Sequence, residues 1–271
     1  MKYANYGYIQ ASQLSIGTSF WGSRIGARRA HYILDTLHAI GVNTIDTASS
    51  YGLGQSESII GDCLRGRREQ FFVSTKVGMH HTQVPLHKRL LLPLARPLYK
   101  HNLVKGRLSS ASSTFMSQEE MLSYDAFEAS IYQSLKRLKT DYLDQIIIHC
   151  NVHQYLHEDA YFEILLALKD KKIVRHLGIS LVDEGDIMDI ESIDRFSEID
   201  TIQVPYAQYP VLIQNDECKY VNYFSLFSPS TYVKIKSLDE AIQEHVRGHF
   251  IVAMSSDESI QKNIQLFRSV Q

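Results

Sequence analysis

The chain has 271 residues, a formal net charge of -2 and 44% hydrophobic residues. That length and balance fit one large domain with a sizeable core, and the near-neutral charge gives no general nucleic-acid footprint. Met1 to Gln10 holds no apolar run of signal-peptide length and no stretch approaches the roughly 20 apolar residues of a membrane helix, so a cytoplasmic protein without an integral membrane segment is expected.

Leu14 to Gly17 reads as a first buried strand, and behind it Tyr32, Ile33, Leu37 and Ile40 share one helical face before Gly41 ends that helix. Thr44 and Ile45 form a second strand ending at Asp46. Gly52 and Gly54 let the next loop turn sharply, leaving Tyr51 on an exposed shelf. Ser56 is expected to cap a helix from Glu57 to Leu64 whose apolar face is Ile60, Cys63 and Leu64. A third strand spans Phe71 to Lys76. After a helix with Phe127, Ile131, Leu135 and Leu138 on one face come Leu143 to His149, His176 to Ser180, Thr201 to Pro205, Tyr220 to Ser225 and Phe250 to Ser255. Eight strands alternating with helices predict an α/β fold, a closed (β/α)8 TIM barrel forming a single domain over residues 1–271. The alternative, a doubly wound open sheet, lacks a GxGxxG after its first strand.

Between Gly78 and Ser123 the chain carries a basic, proline-broken insertion at about 79–116, and no acid occurs from Gln70 to Gln118. Placed after a barrel strand, it is expected over the active-site face, where it can be a substrate lid, with a membrane or partner patch, or a solvated excursion with some helix, as the alternatives.

Asp46, Tyr51, Lys76 and His149 stand at or just past three strand ends, where barrel enzymes build their sites. Singly each has a plain reading: a turn acid, a packing phenol, a solvated lysine, a core histidine. Cys63, Cys150 and Cys218 are an odd set without CxxC spacing, which suits unpaired thiols in a reducing compartment. His149, Cys150 and His153, or His80 and His81, lack a second spaced pair, so no metal is expected.

The block Asp46-Thr47-Ala48, Tyr51-Gly52 and Ser56-Glu57 resembles the aldo-keto reductase signature. So do Gly17 to Gly22, Phe72 to Gly78 with its lysine, Ser134 to Leu138, Asp141 to Asp144, Ile148-His149, Leu177 to Ser180 and Ile202 to Tyr206, so the similarity covers nearly the whole chain. The resemblance implies a catalytic tetrad of Asp46, Tyr51, Lys76 and His149. A nicotinamide cofactor, NAD(H) or NADP(H), would exchange a hydride with a carbonyl or alcohol while Tyr51 moves the proton and His149 orients the oxygen. A tyrosine pKa of about 10 is high for proton exchange near neutrality, so a Lys76 cation held by Asp46 should favour the phenolate.

Further cofactor contacts are implied at Gly17, Thr18, Asp46, Ser180, Gln203, Tyr223, Ser255 and Asn263, with Ser180 and Gln203 on the carboxamide and Tyr223 stacked on the ring. Leu181 departs from the usual asparagine, and Ser256, Ser259 and Lys262 depart from the pattern that grips the extra phosphate of NADPH, so NAD(H) should be used at least as well. The insertion resembles that of sugar-oxidising members such as the threo-aldose and galactose dehydrogenases, which points to a small-molecule carbonyl or sugar-like substrate. The alternative is a non-catalytic, redox-sensing binding subunit similar to the reductase-like potassium-channel β subunits.

Overall fold

A computed structural model describes residues 2–79, 121–149, 151–181, 196–206, 220–224, 248–254 and 256–268. Most of the basic insertion, with Cys150, Cys218 and Ser255, lies outside the described residues. A hairpin of β1 (Tyr3–Asn5) and β2 (Gln10–Ser12) precedes β3 (Leu14–Gly17), β4 (Thr44–Asp46), β5 (Phe72–Val77), β6 (Leu143–His149), β7 (Val174–Ser180), β8 (Thr201–Pro205), β9 (Tyr220–Phe224) and β10 (Phe250–Ala253). The last eight pair in parallel and close a barrel in the order β10-β3-β4-β5-β6-β7-β8-β9. The expected strands are all present, with ends shifted by two residues or fewer.

Alternation along each strand sorts the side chains into two layers. Ile16, Ile45, Val73, Ile146, Ile148, Ile179, Ile202 and Val252 are buried in the hydrophobic layer behind the sheet, where branched chains pack well on a pleated surface. The inner layer is polar in its middle. Gln145 Nε2 donates to Thr201 Oγ1 at 2.6 Å, and Gln145 Oε1 accepts from Ser74 Oγ at 3.1 Å and Asn222 Nδ2 at 3.3 Å. Because β6 and β9 are not neighbours, these bonds cross the barrel interior and tie opposite walls together.

Helix α1 (Ala27–His38) buries Ala30, Ile33, Leu34 and Leu37. Tyr32, expected on that face, is instead 53% exposed with the Arg29 guanidinium 4.9 Å over its ring. At about 100° per residue, position 32 falls on the face opposite the stripe through 30, 33, 34 and 37. Helices α2 (Ser56–Cys63), α3 (Tyr124–Leu138), α4 (Val152–His157), α5 (Asp159–Asp170) and α6 (Asp257–Arg268) complete the described shell. In α3 the expected residues Phe127, Ile131, Leu135 and Leu138 are all buried. The chain on either side of the insertion is held by one phenol, since Tyr155 Oη donates to the Gly78 carbonyl at 3.2 Å and accepts from Leu122 N at 2.9 Å. No helix among the described residues is long and apolar enough to cross a membrane.

The hairpin was not foreseen. It covers the amino-terminal end of the barrel, where the Tyr6 ring stacks on Tyr220 at 4.1 Å and lies 4.3 Å from Phe72 and 4.9 Å from His176. The Tyr6 hydroxyl shares a 2.9 Å hydrogen bond with His249 Nε2. Burial pushes the His249 imidazole down to about 4, although its bond to the Ser12 carbonyl pulls the other way. The unfolded chain takes up this proton near the ordinary 6.5, so it binds more protons than the folded one between the two values. Stability is therefore full above about pH 6.5 and falls as the pH drops toward 4. We expect this one group to cost about 2 kcal/mol at pH 5 relative to pH 8. Urea unfolding at both pH values checks this, with His249→Gln as the control: an undiminished pH dependence in that variant would place the titrating group elsewhere.

Candidate active site

Parallel pairing aligns the carboxyl ends of the strands. Asp46 pairs in register with Gly17 and Ser74, Lys76 with Ile147, and His149 with Ser180, which in turn faces Gln203. Asp46, Lys76, His149, Ser180 and Gln203 thereby share the inner face at one rim of the barrel. Lys76 is buried, and its Nζ donates to Asp46 Oδ1 at 2.8 Å, Asp46 Oδ2 at 2.7 Å and the Thr47 carbonyl at 3.0 Å. The same nitrogen lies 4.9 Å from the centre of the Tyr51 ring.

Burial works to lower the Lys76 pKa, but Asp46 and Tyr51 outweigh it and the ammonium is held above its usual range. Burial pushes the Asp46 carboxyl up against the pull of Lys76. Three oxygens converge on Nζ and favour the charged form, so the pair stands as an ammonium beside a carboxylate.

For Tyr51, burial is the largest influence and raises the phenol above 10.0; Lys76 lowers it and Asp46 raises it again. Lys76 thus acts in the expected direction, toward the phenolate, but burial outweighs it, and Tyr51 keeps its proton at neutrality. His149 is pushed down to about 4, first by burial and then by the Lys76 charge, so its ring is neutral. A neutral imidazole beside a protonated phenol and a fixed cation offers hydrogen-bond donors to a developing negative oxygen.

Tyr51 is partly buried rather than on an exposed shelf, because the loop after β4 folds down onto the loop after β3. In the turn Tyr51–Gly54, Gly52 (φ 59°) and Leu53 (φ 60°) are both left-handed, a conformation costing a leucine about 1–2 kcal/mol. Gly52 N donates to the Ser19 carbonyl at 3.1 Å. A Cβ on Gly52 would fall 1.6 Å from the Trp21 carbonyl oxygen, and one on Gly22 2.5 Å from the Gly52 carbonyl oxygen. Ser56 does not cap α2: Gln55 holds the N-cap position. The Ser56 hydroxyl instead donates to Thr18 Oγ1 at 2.9 Å and shares a 3.0 Å bond with Thr47 Oγ1.

Of the implied cofactor residues, Ser180 and Gln203 are buried at the rim beside the tetrad. Gln203 Nε2 reaches Asp46 Oδ1 at 3.4 Å, while Gln203 Oε1 and His149 Nδ1 are buried without a hydrogen-bond partner. Leaving a buried polar atom unpaired is costly. A carboxamide N–H would satisfy Gln203 Oε1, and on that observation the residues fit a nicotinamide. Leu181 is buried in the core and donates only its backbone N–H, to the Gln203 carbonyl at 2.9 Å.

Gly17 lies close behind, where a Cβ would meet Ile251 Cγ2 at 3.2 Å. Thr18 spends its hydroxyl on the Asp46 carbonyl at 2.9 Å. Tyr223 is placed differently from the expectation: its ring packs against Tyr206 at 5.5 Å and Phe250 at 5.6 Å, in the layer behind the sheet, while Asn222 turns inward. Strand alternation forces that choice. Asn263 is buried on α6, and Ser255 lies outside the described residues.

Two contacts at the rim were missed in the sequence. The Thr47 carbonyl is a third acceptor for Lys76, and the buried Glu57 carboxylate joins α2 to β5 and α3. Glu57 and Arg137 both stand in quoted motifs, but nothing in their spacing says that they meet. Among the described residues no group of three or more His, Cys, Asp and Glu could hold a metal ion.

A family model described as "Aldo/keto reductase family" matches residues 13–222. The chain is 28% identical over 207 residues to Aldo-keto reductase YhdN of Bacillus subtilis, covering 73% of this chain and 51% of that protein. It is 29% identical over 191 residues to the NADH-specific methylglyoxal reductase of Escherichia coli, covering 68% and 50%. It thus spans about half the length of these curated relatives. Among solved structures, an aldo-keto reductase from Pseudomonas aeruginosa superposes with a TM-score of 0.72 at 21% identity, covering 100% of this chain and 94% of that one. An aldo/keto reductase from Klebsiella pneumoniae in complex with NADP and acetate gives 0.63 at 17% identity, covering 98% and 89%. At these identities the structural likeness concerns the fold.

Proposed function

Because the chain belongs to the aldo/keto reductase family, we propose that it is a nicotinamide-dependent oxidoreductase working on a small carbonyl or its alcohol, including sugar-like compounds. The carrying observation is the convergence of Asp46, the Thr47 carbonyl and the Tyr51 ring on Lys76 Nζ. When bound, the cofactor supplies or accepts the hydride. Ser180 and Gln203 orient it through the carboxamide. Tyr51, protonated at rest, donates to the carbonyl oxygen, and the fixed Lys76 cation stabilises the phenolate that remains. Neutral His149 donates a second hydrogen bond to that oxygen and sets its direction. Burial of Lys76 and Asp46 keeps water away and strengthens each of these interactions. The unpaired buried Cys63 thiol suits a reducing, cytoplasmic setting.

An absorbance screen at the nicotinamide band tests the activity, run with aldoses, methylglyoxal, aryl aldehydes and ketones in both directions. Cofactor binding without turnover on any of them would favour the binding-subunit alternative instead.

Cofactor choice follows from α6. Ser256 and Ser259 cap one another's backbone N–H at 3.1 and 3.0 Å, and the first turn carries Asp257 and Glu258, with Asp257 engaging Arg29 at 2.6 Å. With Asp257 paired to Arg29, Glu258 is the acid that would repel an extra phosphate placed at this turn. NADH is therefore expected to bind at least as tightly as NADPH. Fluorescence titration with each decides this, and a preference for NADPH above about tenfold, roughly 1.4 kcal/mol, would reverse the assignment.

A further inference from the structure

Resting on the catalytic reading of Tyr51 and Lys76, we propose that Glu57 and Thr75 are positioning residues that set the placement of the Tyr51 phenol relative to the Lys76 ammonium. Glu57 is 1% exposed. Its Oε1 accepts from Thr75 Oγ1 at 2.6 Å and its Oε2 from Arg137 Nε at 2.6 Å, while Arg137 Nη2 reaches Ser134 Oγ at 3.0 Å. Thr75 directly precedes Lys76, so its side chain leaves the opposite face of β5. One bond from Glu57 therefore fixes the strand segment that carries the cation.

The neighbouring residue completes the clamp. Ser56 is tied to Thr18 and Thr47, and the Thr47 carbonyl itself accepts from Lys76 Nζ. Ser56 and Glu57, side by side at the start of α2, thus bind the ends of β3, β4 and β5 at once. The Tyr51–Gly54 turn runs straight into them, and Gly52, Leu53 and Gly54 in it all have positive φ. A strained turn stays in place only when its surroundings over-determine it. Here its far end is fastened to the same strand ends that carry Asp46 and Lys76. The Glu57 carboxylate is bonded to Thr75 and Arg137 rather than to Lys76 or Tyr51, so its influence runs through position.

The test is direct observation of the phenol. With 13Cζ-labelled tyrosine, the Tyr51 resonance is assigned by its loss in Tyr51→Phe and titrated in the cofactor-free protein and in three variants. Thr75→Val removes the hydroxyl at nearly constant shape and should raise the Tyr51 midpoint by at least half a pH unit, because the cation no longer sits squarely beneath it. Thr75→Ser, which restores the hydroxyl, should return the midpoint to the parent value. Glu57→Gln leaves one acceptor oxygen where two carboxylate oxygens accepted, so either Thr75 or Arg137 loses its acceptor, and it should shift the midpoint in the same direction as Thr75→Val. Steady-state kinetics should show kcat lowered about tenfold in Thr75→Val, with KM within about threefold and recovery in Thr75→Ser. An unmoved Tyr51 midpoint in folded Thr75→Val and Glu57→Gln would overturn the positioning role. If the midpoint moves as stated but no carbonyl is turned over by the parent, positioning stands and the catalytic reading fails.

Discussion

Tyr51→Phe is expected to lower kcat by about 10²- to 10⁴-fold while leaving cofactor affinity within a few-fold of the parent. The ring, its packing and its 4.9 Å approach to Lys76 Nζ are retained; only the transferable proton is lost. Because burial holds that proton on the phenol at neutrality, its removal leaves no other group of suitable acidity among the described residues of the inner rim. His149 is neutral, and Lys76 is committed to three acceptors. Single-turnover measurement at saturating cofactor separates the chemical step from binding. Turnover near the parent rate in this variant would falsify the proton-donor role. Lys76→Met is a less clean test, because it leaves the Asp46 carboxylate buried without its partner and should destabilise the fold by about 3–5 kcal/mol.

Gly52→Ala should act through structure and be nearly as damaging to activity. Its φ of 59° is open to glycine and strained for alanine, and the added methyl would fall 1.6 Å from the Trp21 carbonyl oxygen. That oxygen belongs to the backbone, so relief requires the loops after β3 and β4 to separate. The combined strain and overpacking should cost about 3 kcal/mol, which for a domain of this size lowers the melting temperature by roughly 6–12 °C. Since Tyr51 is the adjacent residue, activity should fall more than the loss of folded protein explains. Thermal melts and kcat on the same sample check both parts, and a melting temperature within about 2 °C of the parent would show that the two loops are not locked together.

The alternation of apolar strands and helices was enough to predict the barrel, because the two periodicities are local properties of the chain. So were the residue types at the strand ends: Asp46, Lys76 and His149 had to share one rim once parallel pairing was assumed, since strand direction fixes which end each occupies. For Tyr32 the helical period alone dictates the outcome, since it sets position 32 opposite the buried stripe. Local pattern was weaker where one residue decides a strand's face: Tyr223 takes the layer behind the sheet because Asn222 takes the inner one.

The hairpin over the barrel floor was illegible for a different reason. Tyr6 is held there by Phe72, His176, Tyr220 and His249, all distant in sequence. The same holds for the Glu57 bonds to Thr75 and Arg137, for the carbonyl of Thr47 beneath Lys76, and for the sign of the Tyr51 shift. Sequence determined which groups this protein owns and the rim on which they stand. Burial, which depends on the summed packing of the whole chain, decided their protonation and their partners.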